Sequence, residues 1–256
     1  MDVSIVQYNI AFEATEINLK TLEKLIEQQF DGSDLLVLPE MFNTGFTMNV
    51  KTCAESMKGL TVNWMLKKSK ELKTTIVGSL IIIENNKVYN RLLLVKPSGE
   101  ILQYNKRHLF ALGGEEKHFS AGNRRLVAEV EKMRVCPLVC YDLRFPVWSR
   151  NTENFDTILF LANWPASRAD AWNILLKARA VENQCYVIAV NRTGIDSNNL
   201  NYIGQSQVID FKGQEIKNLE NRENVICKVS INLQDLQDFR KKYPFLDDRD
   251  HFTIND

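Results

Sequence analysis

Histidine is scarce in this sequence, and its cysteines lack the spacing of a metal site. Three histidines occur among 256 residues, and no two cysteines are separated by just two residues. A structural zinc site needs such clustered thiolate and imidazole ligands. The odd number and irregular spacing of the cysteines also argue against a disulfide framework; they are Cys53, Cys136, Cys140, Cys185 and Cys227. We therefore predict no metal and no other cofactor.

Long hydrophobic runs and an excess of charge of one sign are missing as well. The longest apolar stretches, such as Ile76–Ile83, have the length of a strand, whereas a transmembrane helix needs about 20 apolar residues. The segment Met1–Ile10 shows no basic region followed by an apolar one, so no secretory signal is predicted. Basic and acidic residues number 32 each, with no basic stripe. We expect a cytoplasmic protein that binds neither membranes nor nucleic acid.

Proline and glycine are too few and too scattered to mark linkers. The chain has 6 prolines and 11 glycines, and neither low-complexity segments nor a repeat of fixed period is found. Its composition, 45% hydrophobic and 25% charged, is typical of a globular protein with a sizeable core. A single domain spanning residues 1–256 is predicted.

Helical and strand-like patterns alternate along the chain. Four segments carry apolar residues at helical spacing, namely Ala14–Phe30, Leu60–Leu72, Ala169–Glu182 and Leu233–Lys242. Strand-like runs lie between them, and two pairs of runs flank turn residues as hairpins, around Pro97–Glu100 and around Lys212-Gly213.

The strand-like runs indicate the fold class. Runs such as Thr157–Ala162 are apolar after their first residue, which suits strands buried on both faces. Two sheets packed face to face with helices outside would bury them in this way. We therefore predict an α/β protein with a four-layer α-β-β-α sandwich. A single doubly wound sheet is the competing architecture, and the hairpins count against it because such a sheet is mostly parallel.

Three polar residues each follow a strand-like run. Glu40 follows Asp34–Leu38, where partial desolvation favours a general base. Lys106 ends a hairpin arm, where an ammonium can stabilise an oxyanion. Cys140 ends the run Val135–Val139, where a thiol is exposed beside backbone N–H groups. Taken singly, the three also fit a solvated carboxylate, a surface lysine and an inert cysteine.

Together these segments resemble the three signature blocks of the nitrilase superfamily of carbon–nitrogen hydrolases. The blocks are Pro39-Glu40, Lys106–Phe110 and Cys140–Pro146, in the family's order of Glu, Lys and Cys. The resemblance extends from about residue 3 to about residue 250. Further segments resemble the omega-amidase branch, namely Leu38–Phe42, Cys140–Arg150, Phe239-Arg240 and Tyr243-Pro244.

The resemblance implies a nitrilase-like sandwich and a cysteine-dependent amidohydrolase. Cys140 is then the nucleophile and Glu40 the general base, and Lys106 stabilises the oxyanion together with the backbone N–H of Tyr141. The implied substrate is a small omega-amide such as 2-oxoglutaramate or 2-oxosuccinamate. Glu115 fits the position of the family's second glutamate, although its charged segment is also typical of an ordinary loop.

Other functions remain open at this stage. A nitrilase or an N-carbamyl amidohydrolase uses the same Glu-Lys-Cys triad, and an acyltransferase would pass the acyl group to an amine rather than to water. A binding module without turnover predicts that some triad members are missing, whereas all three are present. A zinc hydrolase is disfavoured because no metal-ligand spacing occurs.

Residues around the triad are candidates for shaping a pocket. Aromatic and amide side chains at strand ends fit this role or a place in the core; they are Phe42, Asn43, Phe46, Tyr141 and Trp164. A substrate carboxylate calls for a bidentate arginine, and the sequence leaves Arg107, Arg144 and Arg192 as candidates.

Two further roles are predicted near these blocks. Arg144 is equally suited to tying down the cysteine loop, and His108 is interpreted as a hydrogen-bonded structural residue. The family resemblance implies a homodimer. The segment Phe239–Phe252 has few apolar residues for a core of its own, so we expect it to dock on a partner subunit.

Overall fold

A computed structural model of the chain describes residues 1–254. In these residues, two sheets pack against each other and helices lie on their outer faces. The helices are α1 (Thr15–Gln29), α2 (Val50–Cys53), α3 (Leu60–Leu72), α4 (Ala169–Asn183) and α5 (Leu233–Lys242). The strands are, in chain order, β1 (Asp2–Gln7), β2 (Leu35–Val37), β3 (Thr75–Glu84), β4 (Lys87–Val95), β5 (Ile101–Asn105), β6 (Ala128–Val130), β7 (Met133–Val139), β8 (Thr157–Ala162), β9 (Tyr186–Asn191), β10 (Thr193–Ile195), β11 (Asn201–Ile203), β12 (Gln207–Ile209), β13 (Glu215–Asn218) and β14 (Val225–Ser230).

The two large sheets have six strands each and combine parallel centres with antiparallel edges. The first sheet has the order β14-β1-β2-β3-β4-β5, in which β1, β2 and β3 are parallel. The second has the order β13-β12-β9-β8-β7-β6, in which β7, β8 and β9 are parallel. The two predicted hairpins are present as β4–β5 and β12–β13, and each lies at one edge of a sheet. The short strands β10 and β11 form a separate hairpin.

Alternate residues of the first sheet enter two different cores. Val3 and Ile5 of β1 face the second sheet and pack in one core with residues of β7 and β8. Val6 on the same strand faces outward and packs with Leu22 of α1 and Met65 of α3. This period of two follows from the pleat of a strand, and burial on both faces explains why apolar residues occur at both alternating sets of positions.

The helices complete a four-layer arrangement. α1 and α3 cover the outer face of the first sheet, and α4 packs against β9 and β12 of the second. The predicted α-β-β-α sandwich is thereby confirmed, and the doubly wound single sheet is wrong, because the two sheets bury their inner faces against each other. No helix within residues 1–254 is both long and apolar enough to cross a membrane.

Candidate active site

Lys106 lies between two buried glutamates at one end of the sandwich. Its Nζ donates to Oε1 of Glu40 at 2.9 Å and to Oε2 of Glu115 at 2.8 Å. Glu40 follows β2, Lys106 follows β5, and Glu115 begins a short 3-10 helix. All three side chains are at most 1% exposed. A buried charge is costly unless it is paired and hydrogen-bonded, so this arrangement fixes the ammonium in place.

The pairing changes the acidity of the groups. Burial lowers the pKa of Lys106, but the carboxylates of Glu115 and Glu40 outweigh it, and the pKa is raised above the usual lysine value. Burial raises the pKa of Glu115, and Glu40 adds to this while Lys106 opposes it. Lys106 is therefore a permanent cation at neutral pH, available to a developing negative charge.

Two asparagines hold Glu40 in one orientation. Asn90 of β4 donates from Nδ2 to Oε1 of Glu40 at 2.8 Å and to Oε1 of Glu115 at 3.2 Å. The backbone N–H of Asn163, directly after β8, donates to Oε2 of Glu40 at 2.9 Å, and its Nδ2 donates to the backbone oxygen of Glu40 at 2.6 Å. The carboxylate thus has donors on both oxygens before any substrate arrives.

Cys140 sits at a sharp turn beside these groups. It directly follows β7 with a φ of 44°, in the left-handed region that residues other than glycine seldom adopt. Burial raises the pKa of its thiol, Glu40 raises it further, and Lys106 acts in the opposite direction. The Sγ atom lies 3.9 Å from the backbone oxygen of Asn163. The thiol is therefore protonated at neutral pH and needs a base before it can attack.

A cavity of about 610 Å³ opens onto Glu40, Lys106 and Cys140. This volume suits a small-molecule site. Its lining includes the apolar side chains of Phe12, Phe46, Met48, Phe110 and Leu112. It also includes Arg144, Asn163, Trp164, Arg168, Asp196 and Tyr202. Within residues 1–254, no group of three or more histidine, cysteine or acidic side chains is arranged to hold a metal ion.

Comparison with known proteins decides the family. The carbon–nitrogen hydrolase family model matches residues 2–241. The chain belongs to the carbon–nitrogen hydrolase family. It is a hydrolase acting on carbon–nitrogen bonds other than peptide bonds, and the nitrilase-superfamily resemblance of the three blocks is confirmed.

Several relatives match this carbon–nitrogen hydrolase over nearly its whole length. The omega-amidase YafV of Escherichia coli strain K12 is 38% identical over 99% of this chain and 98% of its own. The 2-oxoglutaramate amidase of Bacillus subtilis strain 168 is 35% identical over 96% of each. The crystal structure of XC1258 from Xanthomonas campestris, a CN-hydrolase superfamily protein with an arsenic adduct in its active site, superimposes with a TM-score of 0.97. Its identity is 40%, over 100% of this chain and 99% of that one.

Most of the predicted site residues of this carbon–nitrogen hydrolase line the cavity, and Glu115 lies directly behind it. Besides the three triad residues, Tyr141, Phe46 and Trp164 line it. Lys106 Nζ lies 5.5 Å from the centre of the Phe46 ring, a distance that allows a cation–π interaction. Glu115 lies behind Lys106 and is fully buried, so it contacts the lysine rather than the open cavity.

The three candidate arginines lie in different places. Arg144 lines the cavity, with its guanidinium 5.1 Å from the Trp164 ring centre. Arg107 lies outside it, over the ring of Trp148, and lines a separate surface cleft. Arg192 is fully buried behind the wall and donates to backbone oxygens of Ile10 and Thr193. Arg107 and Arg192 are therefore wrong as candidates for the cavity.

Other expectations need correction. Phe42 and Asn43 do not line the cavity, because both are fully buried in the layer behind it. Phe42 packs against Trp64, and Asn43 donates to Thr61. Arg144 does not tie down the cysteine loop; Arg179 of α4 does so, through two hydrogen bonds to the backbone oxygen of Leu143.

Three features of the site escaped sequence reasoning. Asn90 bridges both glutamates, and the only signal was a polar residue next to Arg91 in the middle of a predicted strand. Arg168 lines the cavity five residues after Asn163, in the loop already predicted to reach the site. The β10–β11 hairpin contributes Asp196 and Tyr202, and its three-residue strands were too short to show a period.

Proposed function

We propose that this protein hydrolyses the omega-amide of a short 2-oxo dicarboxylic acid, such as 2-oxoglutaramate or 2-oxosuccinamate, to the carboxylate and ammonia. The observation that carries the proposal is Lys106, bound by both Glu40 and Glu115 and placed with Cys140 in one cavity. The names of the E. coli and B. subtilis relatives support the substrate class.

Acylation is the first half of the proposed reaction. Glu40 accepts the thiol proton of Cys140 as the sulfur attacks the amide carbon, and a carbon–sulfur bond forms. The oxyanion is stabilised by Lys106 and by the backbone N–H of Tyr141, and removing one such donor typically costs about 10²–10³-fold in rate. Glu40 then protonates the departing nitrogen, the carbon–nitrogen bond breaks, and ammonia leaves.

Hydrolysis of the thioester is the second half. Glu40 takes a proton from a water molecule as its oxygen attacks the thioester carbon, and the oxyanion that forms is stabilised by the same donors. The carbon–sulfur bond breaks, the acid leaves, and the proton returns to Cys140. Glu115 acts through Lys106, because its carboxylate receives two hydrogen bonds from the ammonium and one from the Phe110 N–H.

The distal carboxylate of the substrate is assigned to Arg144 and Arg168. Both guanidiniums line the cavity, and each lies over an aromatic ring, Trp164 for Arg144 and Phe110 for Arg168, at 5.1 and 5.2 Å. Stacking on a ring orients a guanidinium without using its N–H donors, which stay available for a carboxylate.

The first experiment measures ammonia release from 2-oxoglutaramate, 2-oxosuccinamate, glutamine and asparagine. We expect turnover of an oxo-acid amide and a fall in kcat of about 10⁴-fold or more in Cys140→Ala. Cys227→Ala is the matched control, since Cys227 lies on β14 away from the cavity. Full activity in Cys140→Ala would contradict the mechanism. Turnover of only nitriles or N-carbamyl compounds would contradict the substrate class.

A second experiment tests the arginines. Arg168→Met and Arg144→Met should each raise KM for a carboxylated amide by about 10–100-fold, the usual effect of losing a hydrogen bond to a charged group. Turnover of a neutral amide such as propionamide should change little. An equal loss on both kinds of amide would show that the arginines do not recognise the carboxylate.

We also propose a homodimer. Tyr243 and Phe245, just after α5, are 38% and 60% exposed and lie in the segment expected to dock on a partner. Light scattering at micromolar concentration should give twice the chain mass of 29.5 kDa, and a monomer would contradict the proposal. A cytoplasmic location stays a prediction, which cell fractionation tests.

A further inference from the structure

One fully buried carboxylate outside the triad receives four hydrogen bonds. Oδ1 of Asp142 accepts from the backbone N–H of His108 at 3.0 Å and from its ring Nδ1 at 2.8 Å. Oδ2 accepts from the hydroxyl of Tyr104 at 2.7 Å and from the backbone N–H of Val139 at 3.0 Å. Because a carboxylate only accepts, the ring of His108 carries its proton on Nδ1. The proposed reaction leaves this carboxylate without a role.

Two of the residues that donate to Asp142 flank Lys106 in the sequence. Tyr104 is in β5, two residues before Lys106, and His108 is two residues after it. Burial and the neighbouring Asp142 raise the pKa of Tyr104, so its hydroxyl keeps the proton that it donates. The strand end that carries the ammonium is therefore attached to Asp142 on both sides.

Another contact of Asp142 reaches the turn that carries the thiol. Val139 directly precedes Cys140, and Asp142 follows it by two residues, so the hydrogen bond closes a loop around the nucleophile. Cys140 adopts its left-handed φ of 44° inside this loop. A conformation of this kind persists only where surrounding contacts hold it.

Aromatic rings fix the donors themselves. The His108 ring stacks on Phe145 with centroids 3.7 Å apart and an angle of 4°. The Trp148 indole donates from Nε1 to the Tyr104 oxygen at 3.0 Å, which leaves the hydroxyl proton for Asp142. Among residues 1–254, His108 is the one basic side chain within ion-pair distance of Asp142. Within the described part of the chain, the carboxylate is therefore held by this set of directed donors rather than by a lysine or an arginine.

We propose that Asp142 is a positioning residue, which sets the separation of Lys106 from Cys140 by joining β5 and the following segment to the cysteine turn. The inference rests on the proposed function for its kinetic consequence. It acts through other residues: Asp142 and His108 do not line the cavity, whereas Lys106 and Cys140 do. Displacement of a reacting group by about 1 Å is enough to cost about 10²-fold in rate.

The test compares Asp142→Asn with Asp156→Asn. In Asp142→Asn, an NH₂ group replaces one of the two carboxylate oxygens. This group is a donor, and it faces the donors that the oxygen accepted from, so those hydrogen bonds are lost. Asp156 is a matched control: it is also a buried carboxylate, it accepts from Arg134 N–H and Arg240, and it precedes β8, at the end of the strand opposite the cavity. We expect Asp142→Asn to lower kcat by about 10²-fold with KM nearly unchanged, and to change the rate of Cys140 alkylation by iodoacetamide. Asp156→Asn should lower only the melting temperature.

His108 provides a second pair of variants in case Asp142→Asn fails to fold. His108→Phe keeps the ring stacked on Phe145 and loses the Nδ1 donor, so kcat should fall. His108→Asn places an amide nitrogen near the position of Nδ1 and should recover most of that loss. A structural role in stability alone predicts no such recovery in kcat.

Each outcome decides between the two claims. Native kcat and native Cys140 alkylation in Asp142→Asn and His108→Phe would overturn the positioning role and leave the proposed function standing. If the native protein releases no ammonia from any amide, the proposed function fails. In that case the Cys140 alkylation rates of the same variants still test the positioning role of Asp142.

Discussion

At the scale of single residues, the site combines one ammonium, two carboxylates and one thiol. The ammonium of Lys106 is shared between Glu40 and Glu115, so it cannot neutralise the thiolate of Cys140 fully. Burial and the charge of Glu40 outweigh the effect of this ammonium, so the thiol pKa is raised although a cation lies nearby. A cysteine protease obtains its thiolate by pairing with an imidazolium, whereas in the proposed reaction the proton leaves the thiol only as the sulfur attacks the substrate.

The pH dependence of Cys140 alkylation should show how burial, Glu40 and Lys106 together set the pKa of the thiol. The pKa of the thiol is raised by burial and by Glu40, so alkylation of the native protein by iodoacetamide should still be increasing above pH 9. Glu40→Gln removes the negative charge and keeps the shape, so its alkylation inflection should move to lower pH while kcat is lost. The measurement is the alkylation rate of the Cys140 peptide by mass spectrometry from pH 6 to pH 10.5.

Glu116→Gln is the control for this prediction, since Glu116 is exposed and lies outside the cavity lining. Its alkylation profile should coincide with that of the native protein. An inflection in Glu40→Gln equal to or above the native one would mean that Glu40 does not raise the thiol pKa.

At the scale of elements, the β10–β11 hairpin forms a wall of the cavity and its tip is organised by one side chain. Oδ1 of Asp196 accepts from the backbone N–H groups of Asn198 and Leu200 at 2.8 and 3.0 Å. Oδ2 accepts from the hydroxyl of Tyr202 at 2.9 Å. Leu200 and Tyr202 both line the cavity, so the shape of the wall depends on this carboxylate.

Asp196→Ala should weaken substrate binding more than chemistry. Loss of these hydrogen bonds, each worth about 1 kcal/mol, loosens the wall, and we expect KM to rise about tenfold with kcat within threefold. Asp210→Ala is a matched control, because Oδ1 of Asp210 accepts from the N–H groups of Lys212 and Gln214 in the same manner at the β12–β13 turn. Steady-state kinetics of both variants provide the measurement. A change in KM that is equal in the two variants would contradict the role of the hairpin.

The elements that could be predicted from the sequence are those long enough to show a period. α3 and α5 begin and end where the helical spacing placed them, and β8 matches its predicted run Thr157–Ala162. α2, with four residues, and β10 and β11, with three each, carry too few residues for a period to emerge. Pairing with distant strands, rather than local sequence, determines such short elements.

The site could be predicted in part for a related reason. Glu40, Lys106 and Cys140 each lie in a recognisable block, whereas Asn90 and Arg168 act through contacts that no local pattern encodes. The misplacement of Phe42 and Arg192 has the same origin. A position after a strand does not say whether the side chain turns toward the cavity or into the layer behind it, and both side chains turn inward.

At the scale of the whole molecule, three charged side chains are buried where strand ends of the two sheets meet. β2 and β5 of the first sheet lead to Glu40 and Lys106, and β7 of the second sheet leads to Cys140. Two acidic side chains, Glu40 and Glu115, share one basic side chain, Lys106, in this buried group. Their contribution to folding therefore depends on the lysine and on the protons that the carboxylates bind.

Lys106→Met should make folding stability depend on pH. Without the ammonium, Glu40 and Glu115 share Asn90 as a donor, and two neighbouring buried carboxylates cannot both ionise easily, so one holds its proton to a higher pH. The folded pKa then exceeds the unfolded value of about 4.3. The folded state binds more protons, so stability is greatest at low pH and is lost as the pH rises through the raised folded pKa.

The loss of unfolding free energy relative to the native protein should therefore grow from pH 5 to pH 8, by up to about 1.4 kcal/mol per pH unit. Urea denaturation at four pH values measures it. Lys177→Met is the control, because Lys177 pairs with Glu215 at the surface with 46% of its side chain exposed, and its effect should be small and nearly independent of pH. A constant difference for Lys106→Met across this range would mean that both carboxylates stay ionised without the lysine. In that case water or a rearranged donor, rather than Lys106, would be what allows two charges to remain buried at the end of the sandwich.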